Sequence, residues 1–204
     1  MSVPKIYYFG VVGRPEITKL VLTAAGKPFE DIQFSNEEWA KTYKQKSPFG
    51  TAPWVEMDGQ VYSQSIAIAV YFARQNGYYG KSDIECLQID QLLDLYSDYL
   101  DISKHLFFEA DKDKKAEMLK TLKGPDTQRY FGYFERLLKQ NGTGFFVGKE
   151  LTLADIAVFD LVTGWMKNFM GPIDNFPLVN ALVDKVAAND KIKAYMAKRK
   201  VTEG

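Results

Sequence analysis

The stretch that decides the fold is "SPFGTAPWVEMDGQVYSQS", residues 47–65. Two short β-prone segments, 52–57 and 60–63, flank Asp58-Gly59, a dipeptide typical of a two-residue β-hairpin turn. Residues 65–77 then show apolar positions at helical spacing, with Ser65 as the predicted cap and a glycine as the stop. The stretch therefore predicts an antiparallel hairpin that leads directly into a helix.

The residues before this hairpin predict alternating strands and helices. Segments 5–9 and 29–34 are rich in β-formers, whereas 14–26 and 36–46 have the spacing and end residues of helices. With the hairpin and its helix, the order is β-α-β-α-β-β-α within about 77 residues, which is typical of a four-stranded α/β domain with a mixed sheet.

Downstream of a linker at 77–83, the whole chain is predicted to be helical. Thr152 and Asp155 have the spacing of a capping box, in which each side chain satisfies the other's backbone donor. The predicted domains are therefore 1–79, which is α/β, and 80–204, which is all-α. Helices are expected over 83–110 and 112–140 and from Thr152, Pro177 and Asp190.

Composition excludes several classes of partner. Lys and Arg number 26, as do Asp and Glu, so no net charge draws the chain to nucleic acid or to an anionic membrane. No apolar run approaches the ~20 residues of a membrane span, and no secretory signal is evident. One cysteine, Cys86, excludes an intramolecular disulfide, and one histidine, His105, leaves few ligands for a transition metal. We expect a cytoplasmic protein without a metal.

Two features of the opening stretch have alternative interpretations. Pro53 cannot donate to a sheet, so it is either an ordinary trans edge proline or part of a cis Ala52-Pro53 bond that exposes the Ala52 backbone. Gln64 and Ser65, at the start of a helix, are either a simple cap or a binding point for an anion. Together, the two features could hold an extended peptide by its backbone and its acidic end.

Several motifs resemble those of cytosolic glutathione transferases. They are "PFGTAPWVEMDG" with "SQSIAIAVYFA", "YYFGVVGRPE", "EEW" and "FFVGKELTLADIAVFD", and they span nearly the whole chain. The first of these looks like the thioredoxin-fold half of that family, and the next two resemble its sigma class, which includes haematopoietic prostaglandin D synthases and cephalopod lens crystallins. The resemblance implies a thioredoxin-like domain at 1–79 and a helical domain at 80–204 that forms the electrophile pocket and part of a dimer interface.

For catalysis, the resemblance implies that the Tyr8 hydroxyl donates a hydrogen bond to the glutathione sulfur, with electrostatic support from Arg14. A hydrogen bond to the charged form lowers the thiol pKa and makes the nucleophilic thiolate available. Tyr7 is the alternative, because neighbouring residues of a strand point to opposite faces. The spacing to Gly13 and Arg14 favours Tyr8.

The same resemblance implies which residues bind glutathione. Pro53 would be a cis proline, the Ala52 backbone would pair with the cysteinyl unit, and Gln64 with Ser65 would bind the γ-glutamyl carboxylate. Trp39 and Lys44 would flank the glycyl carboxylate. Lys46 is the alternative to Lys44, because the stretch from Trp39 to Pro53 is one residue longer than in relatives. The implied set is Tyr8, Trp39, Lys44, Ala52, Pro53, Gln64, Ser65 and, from a partner subunit, Asp98.

An acidic stripe on the first long helix has two interpretations. Asp90, Asp94 and Asp98 recur every fourth residue, which is unfavourable unless they are solvated or face a cation. The resemblance implies that Asp98 reaches across a homodimer interface to the ammonium of the neighbour's glutathione. Cys86 is expected to be buried near that interface.

The electrophile pocket is expected between the Tyr8 loop and the first and last helices of the second domain. Where prostaglandin D synthases place a tryptophan, this sequence has His105, which puts prostaglandin isomerisation in doubt. His105 is expected to be a pocket or interface residue rather than a base. The predicted walls are Val11, Val12, His105 and Phe108, with Phe107 as a further candidate.

The leading hypothesis is a homodimeric enzyme that conjugates glutathione, its co-substrate, to small hydrophobic electrophiles without a metal. The alternatives are a crystallin-like structural or ligand-carrying protein and a glutathione-dependent isomerase or peroxidase. Crystallins tend to carry an insertion that "EADKDKKAEM", residues 109–118, lacks, and this difference favours the enzyme.

Overall fold

The hairpin forms one side of a four-stranded sheet. In a computed structural model that describes residues 2–199, β3 (Trp54–Met57) and β4 (Gln60–Ser63) pair antiparallel around a turn in which Asp58 and Gly59 both have positive φ, 50° and 75°. These angles are those of the type I′ turn that Asp-Gly favours. The predicted hairpin is confirmed.

The remaining strands complete a mixed sheet. Strand β1 (Lys5–Phe9) pairs parallel with β2 (Glu30–Phe34) and antiparallel with β3, giving the order β2-β1-β3-β4. Helix α1 (Glu16–Ala25) connects β1 to β2 and is buried along most of its length, with Ile17, Leu20 and Val21 fully inaccessible. Burial of that apolar face supplies the main stabilisation of this unit.

Between β2 and the hairpin, the chain forms a short helix whose end widens. Helix α2 (Asn36–Glu38) starts at a capping box made by Ser35 and Glu38, and it continues as a π-helical turn over Trp39–Tyr43. Helix α3 (Ser65–Gln75) follows the hairpin. Ser65 was predicted to be the residue that caps this helix, but it is the first helical residue, and Gln64 occupies the cap position one residue earlier.

The second unit, Tyr79–Ala188, is helical. Its core contains the fully buried aromatic side chains of Tyr96, Tyr99, Phe131, Phe134 and Phe159. Thr152 and Asp155 form the predicted capping box. The helices are α4 (Asp83–Phe108), α5 (Lys112–Thr121), α6 (Thr127–Asn141), α7 (Leu153–Thr163) and α8 (Pro177–Ala187), with a 3₁₀ turn at Trp165–Asn168.

Two features of this unit differ from the sequence-based expectation. The single helix expected over 112–140 is divided by a π-helical turn, Leu122–Asp126, that contains Pro125. Proline has no N–H to donate and its ring clashes with the preceding turn, so a regular helix cannot continue through it. The 3₁₀ turn was not predicted. Across residues 2–199, no helix is both long and apolar enough to cross a membrane.

The last helix, α9 (Asp190–Lys198), groups with the first unit, which among the described residues comprises 2–78 and 189–199. It packs against α1, where Lys191 Nζ donates to the Ala24 carbonyl at 3.5 Å. The predicted division at residue 80 assigned this helix to the other domain. Residues 200–204 of that predicted domain lie outside the described residues.

Candidate functional site

Tyr8 lies near the end of β1, half-buried, and the loop that follows the strand folds back against it. The Arg14 N–H donates to the Tyr8 hydroxyl oxygen. Gly13 approaches the ring so closely that a Cβ at this position would lie 2.8 Å from both Tyr8 Cε1 and the hydroxyl oxygen. Glycine is therefore required there by space rather than by backbone angle.

Burial raises the pKa of the Tyr8 hydroxyl, and the hydrogen bond and positive charge of Arg14 offset this only in part. The phenol consequently stays protonated at neutral pH and can donate its proton in a hydrogen bond. Because the Arg14 N–H binds the oxygen of this hydroxyl, it restricts the direction in which the O–H points. The arrangement is suited to stabilising an anion placed next to Tyr8.

Tyr7, the alternative candidate, is used differently. Its hydroxyl donates to Glu56 Oε2 at 3.0 Å, and its ring stacks on Trp54 with centroids 4.8 Å apart. Burial, together with the Glu56 carboxylate, raises the pKa of Tyr7 to about 12. Tyr7 thus has a partner within the sheet, whereas Tyr8 lies against the Gly13-Arg14 loop.

The Ala52–Pro53 peptide bond is cis, as the resemblance implies, and the ordinary trans interpretation is wrong. The Ser47 hydroxyl donates a hydrogen bond to the Thr51 carbonyl at 2.5 Å, and the Ser63 hydroxyl donates one to the Pro53 carbonyl at 3.1 Å. The carbonyls before and after Ala52 are thus hydrogen-bonded. Within residues 2–199, the Ala52 N–H and C=O have no hydrogen-bond partner. Ala52 therefore presents a backbone edge with which an extended ligand can pair.

Gln64 has φ 78° and ψ 106°, a conformation that non-glycine residues rarely adopt. It precedes α3, whose N-terminus receives no side-chain cap. Ser65, the first residue of the helix, is buried. The uncapped backbone donors and the helix dipole at this point favour a carboxylate.

The two predicted residues for the glycyl carboxylate lie on the π-helical turn and just after it. The Trp39 ring stacks on the Phe34 ring with centroids 5.6 Å apart. The Lys44 N–H donates to the Trp39 carbonyl at 3.0 Å, a hydrogen bond that spans five residues where an α-helical bond spans four. Lys44 is exposed, and its Cε lies 4.0 Å from the point where a Cβ atom at Gly50 would be. Lys46 instead lies over the Tyr43 ring, 5.4 Å from its centroid.

The predicted electrophile-binding residues are found in both units. In the first unit, Val11 and Val12 line a cavity of about 230 Å³. In the second unit, His105 and Phe108 are exposed at the end of α4, with Phe108 77% accessible. Phe107 packs there against Trp165, an aromatic neighbour that the sequence did not suggest, with centroids 5.8 Å apart.

The acidic stripe lies on the exposed side of α4. Asp90 accepts a short hydrogen bond from the Tyr79 hydroxyl, whereas Asp94 and Asp98 are exposed and form no ion pair with any described residue. Cys86, on the same helix, is half-buried, and its Sγ contacts the Gly80 carbonyl at 3.6 Å. Among residues 2–199, no group of three or more His, Cys, Asp or Glu side chains is arranged to hold a metal ion.

Sequence reasoning missed a buried carboxylate beside the Tyr8 loop. Glu16, at the first position of α1, is 2% exposed, accepts a hydrogen bond from Arg199 at 3.1 Å and lies next to Tyr195. In the sequence, an acidic residue in the first turn of a helix indicates only a favourable dipole interaction. Nothing local points to partners about 180 residues away.

Comparisons with known proteins give a consistent result. The glutathione S-transferase N-terminal domain family matches residues 4–74, and the glutathione S-transferase C-terminal domain family matches residues 97–199. Probable glutathione S-transferase 7 of Caenorhabditis elegans is 36% identical over 97% of each chain.

Two solved structures are similar over nearly the whole chain. A Nu-class GST from Haemonchus contortus is 34% identical, with a TM-score of 0.89 and full coverage of both chains. Prostaglandin synthase D of Nilaparvata lugens is 32% identical, with a TM-score of 0.88, over 98% of this chain and 100% of that one.

Proposed function

Given that this chain belongs to the glutathione S-transferase family, we propose that it conjugates glutathione to small hydrophobic electrophiles and that Tyr8 activates the thiol. The family binds glutathione and electrophilic substrates. The proposal assigns the individual steps to residues of this chain.

The observation that carries the assignment is the environment of Tyr8. A phenol whose pKa is raised by burial keeps its proton, so its O–H can donate to the glutathione sulfur. That hydrogen bond favours the thiolate over the thiol and lowers the thiol pKa from about 8.5. The thiol proton passes to solvent, and a lone pair of the thiolate sulfur then forms a C–S bond to the electrophilic carbon. A leaving group departs with its electron pair, or, in conjugate addition, the displaced electron pair takes up a proton from solvent.

The backbone edge at Ala52 and the start of α3 support a binding mode for glutathione. The cysteinyl unit pairs with the Ala52 N–H and C=O after cis-Pro53, and the γ-glutamyl carboxylate meets the backbone donors at Gln64 and Ser65. Trp39 and Lys44 bind the glycyl carboxylate. Lys44 is preferred to Lys46 because Lys46 already lies over the Tyr43 ring.

Val11, Val12, His105 and Phe108 form the walls of the electrophile site in this proposal. Arg14 acts on Tyr8 through its N–H and its charge rather than by touching the substrate. The protein is assigned to the sigma class, is cytoplasmic, and acts as a homodimer in which the partner's Asp98 binds the glutathione ammonium. Exposure of Asp98 without an ion pair among the described residues supports this role.

A second reaction at the same site is favoured by one comparison. The similarity to prostaglandin synthase D of Nilaparvata lugens extends over 98% of this chain, and an isomerase of that kind would use the same thiolate. The resemblance argues against it, because His105 stands where those enzymes place a tryptophan. Rates with conjugation substrates and with a prostaglandin endoperoxide distinguish the two reactions.

The proposed function is tested by titrating the thiol of bound glutathione through the ultraviolet absorbance of the thiolate. For the native protein, we expect a pKa well below that of free glutathione. Tyr8→Phe removes one hydroxyl and is expected to return the pKa towards the free value and to lower the conjugation rate.

Tyr7→Phe is the matched control, because it removes the same group from the adjacent residue and breaks only the bond to Glu56. We expect it to leave the thiol pKa unchanged. A native protein that binds glutathione with an unshifted thiol pKa would contradict thiol activation. Equal shifts in the two variants would contradict the assignment to Tyr8.

A further inference from the structure

The C-terminal segment of the first unit, which begins at Asn189, contacts the start of α1 through Glu16. The Glu16 carboxylate is 2% exposed, accepts a hydrogen bond from the Arg199 guanidinium just after α9, and lies next to the Tyr195 hydroxyl on α9. The Arg199 side chain is itself only 11% exposed. Such a buried acid is held in one orientation, because losing the Arg199 donor leaves a desolvated charge without that partner.

A short series of contacts connects Glu16 to Tyr8. The Glu16 N–H donates to the Gly13 carbonyl at 2.9 Å, which closes the turn between the β1 loop and α1. Gly13 in turn lies against the Tyr8 ring and hydroxyl, and the Arg14 N–H inside the same turn donates to that hydroxyl. Glu16 therefore belongs, through its backbone, to the turn that carries the groups around the Tyr8 hydroxyl.

Glu16 and its neighbours Tyr195 and Arg199 also border a cavity of the first unit. A cavity of about 230 Å³ is bordered by Gly10, Val11 and Val12 from the Tyr8 loop and by Glu16, Tyr195 and Arg199. A second ion pair in this cavity, Lys19 to Asp31 at 2.6 Å, fixes α1 to β2 next to Glu16. Residues of the loop and of the C-terminal segment thus line the same cavity.

We infer that Glu16 is a positioning residue for the transferase reaction: held by Tyr195 and Arg199, it fixes the turn of residues 13–16 and thereby the direction of the Tyr8 hydroxyl. The C-terminal segment is then part of the support of the thiolate site. The inference rests on the proposed role of Tyr8.

The test compares Tyr195→Phe and Glu16→Gln with the native protein. Tyr195→Phe removes one hydroxyl and keeps the ring, whose centroid lies 6.5 Å from that of Phe29. It is therefore expected to disturb folding less than Glu16→Gln. Lys191→Met is the matched control, because Lys191 lies on the same helix but contacts Ala24, at the other end of α1. For each protein we measure the pKa of the bound glutathione thiol, kcat and KM, and the melting temperature.

We expect both test variants to raise the bound-thiol pKa by about half a unit to one unit and to reduce kcat/KM roughly tenfold, because a misdirected hydroxyl stabilises the thiolate less well. The control is expected to lower only the melting temperature. A fall in melting temperature with an unchanged thiol pKa in both test variants, or an equal shift in the control, would overturn the inference. An unshifted thiol pKa in the native protein would instead contradict the proposed function itself, and with it the inference.

Discussion

Replacing Gly13 by alanine is expected to damage the site through a single added methyl group. The new Cβ would lie 2.8 Å from Tyr8 Cε1, 2.8 Å from the hydroxyl oxygen and 3.1 Å from Cζ. Ordinary van der Waals contact begins at 3.4 Å. Since Gly13 has no left-handed backbone angle, the effect of the substitution comes from this overlap alone.

The overlap determines the size of the effect. Relieving it requires the Tyr8 ring or the Gly13 backbone to move by about 0.6 Å. Because a misplacement of about 1 Å can reduce a rate roughly 100-fold, we expect a fall in kcat/KM of roughly tenfold. Overpacking of this kind destabilises by about 1–3 kcal/mol, and the half-buried Tyr8 ring can yield, so a loss of about 1 kcal/mol is expected.

The assay combines steady-state conjugation kinetics with titration of the bound glutathione thiol. Gly132→Ala on α6 is the matched control, since a Cβ there has no neighbouring atom within 4 Å. It is expected to stabilise the protein by about 0.5–1 kcal/mol through helix propensity and to leave the kinetics unchanged. Unchanged kcat/KM and thiol pKa in Gly13→Ala would refute the reasoning that Gly13 positions Tyr8.

Two further predictions concern stability and assembly. Burial raises the pKa of Asp155 from 3.8 to about 6 despite hydrogen bonds from Phe146 and Thr152. Between those pH values the folded state holds a proton that the unfolded chain has lost. The free energy of unfolding therefore falls as the pH rises through this range. Asp155→Asn does not titrate, so denaturant titrations of the two proteins should show the native protein losing up to about 3 kcal/mol of unfolding free energy relative to the variant from pH 4 to pH 7. A difference in unfolding free energy that does not change with pH would contradict the raised pKa. Asp98→Asn should raise the KM for glutathione roughly fivefold in a dimer, with Asp94→Asn as the unaffected control on the same helix. A sedimenting monomer with an unchanged KM for Asp98→Asn would remove Asp98 from the site.

The elements predicted correctly are those specified by neighbouring residues. Asp58-Gly59 formed the expected hairpin, and Thr152 with Asp155 formed the expected capping box, because in each the interacting groups lie within three residues of one another. The two π-helical turns, Trp39–Tyr43 and Leu122–Asp126, were not predicted. Each hydrogen bond of such a turn spans one residue more than in an α-helix, so the spacing of the apolar residues is almost unchanged. Local patterns therefore located the elements but not their irregularities.

Contacts between distant residues could not be derived from local patterns. Helix α9 was expected in the helical domain because it follows helices in sequence, yet it packs against α1. The contact between Glu16 and Arg199 spans 183 positions and leaves no periodic signal in either segment. The resemblance supplied the cis bond at Pro53, for which composition alone favoured trans.

The two adjacent tyrosines point to opposite faces of β1, and their hydroxyl groups therefore have different partners. The Tyr7 hydroxyl is bonded to a carboxylate, which would repel a second anion, so Tyr7 is unsuited to stabilising a thiolate. The Tyr8 hydroxyl instead receives a backbone N–H and lies near a positive charge. Burial raises the pKa of Tyr8 while Arg14 lowers it, and the net rise keeps the proton on the oxygen. If Arg14 dominated, the proton could pass to the sulfur and leave a phenolate beside an unreactive thiol. Burial of Tyr8 is therefore as necessary to the proposed mechanism as the hydrogen bond that it donates.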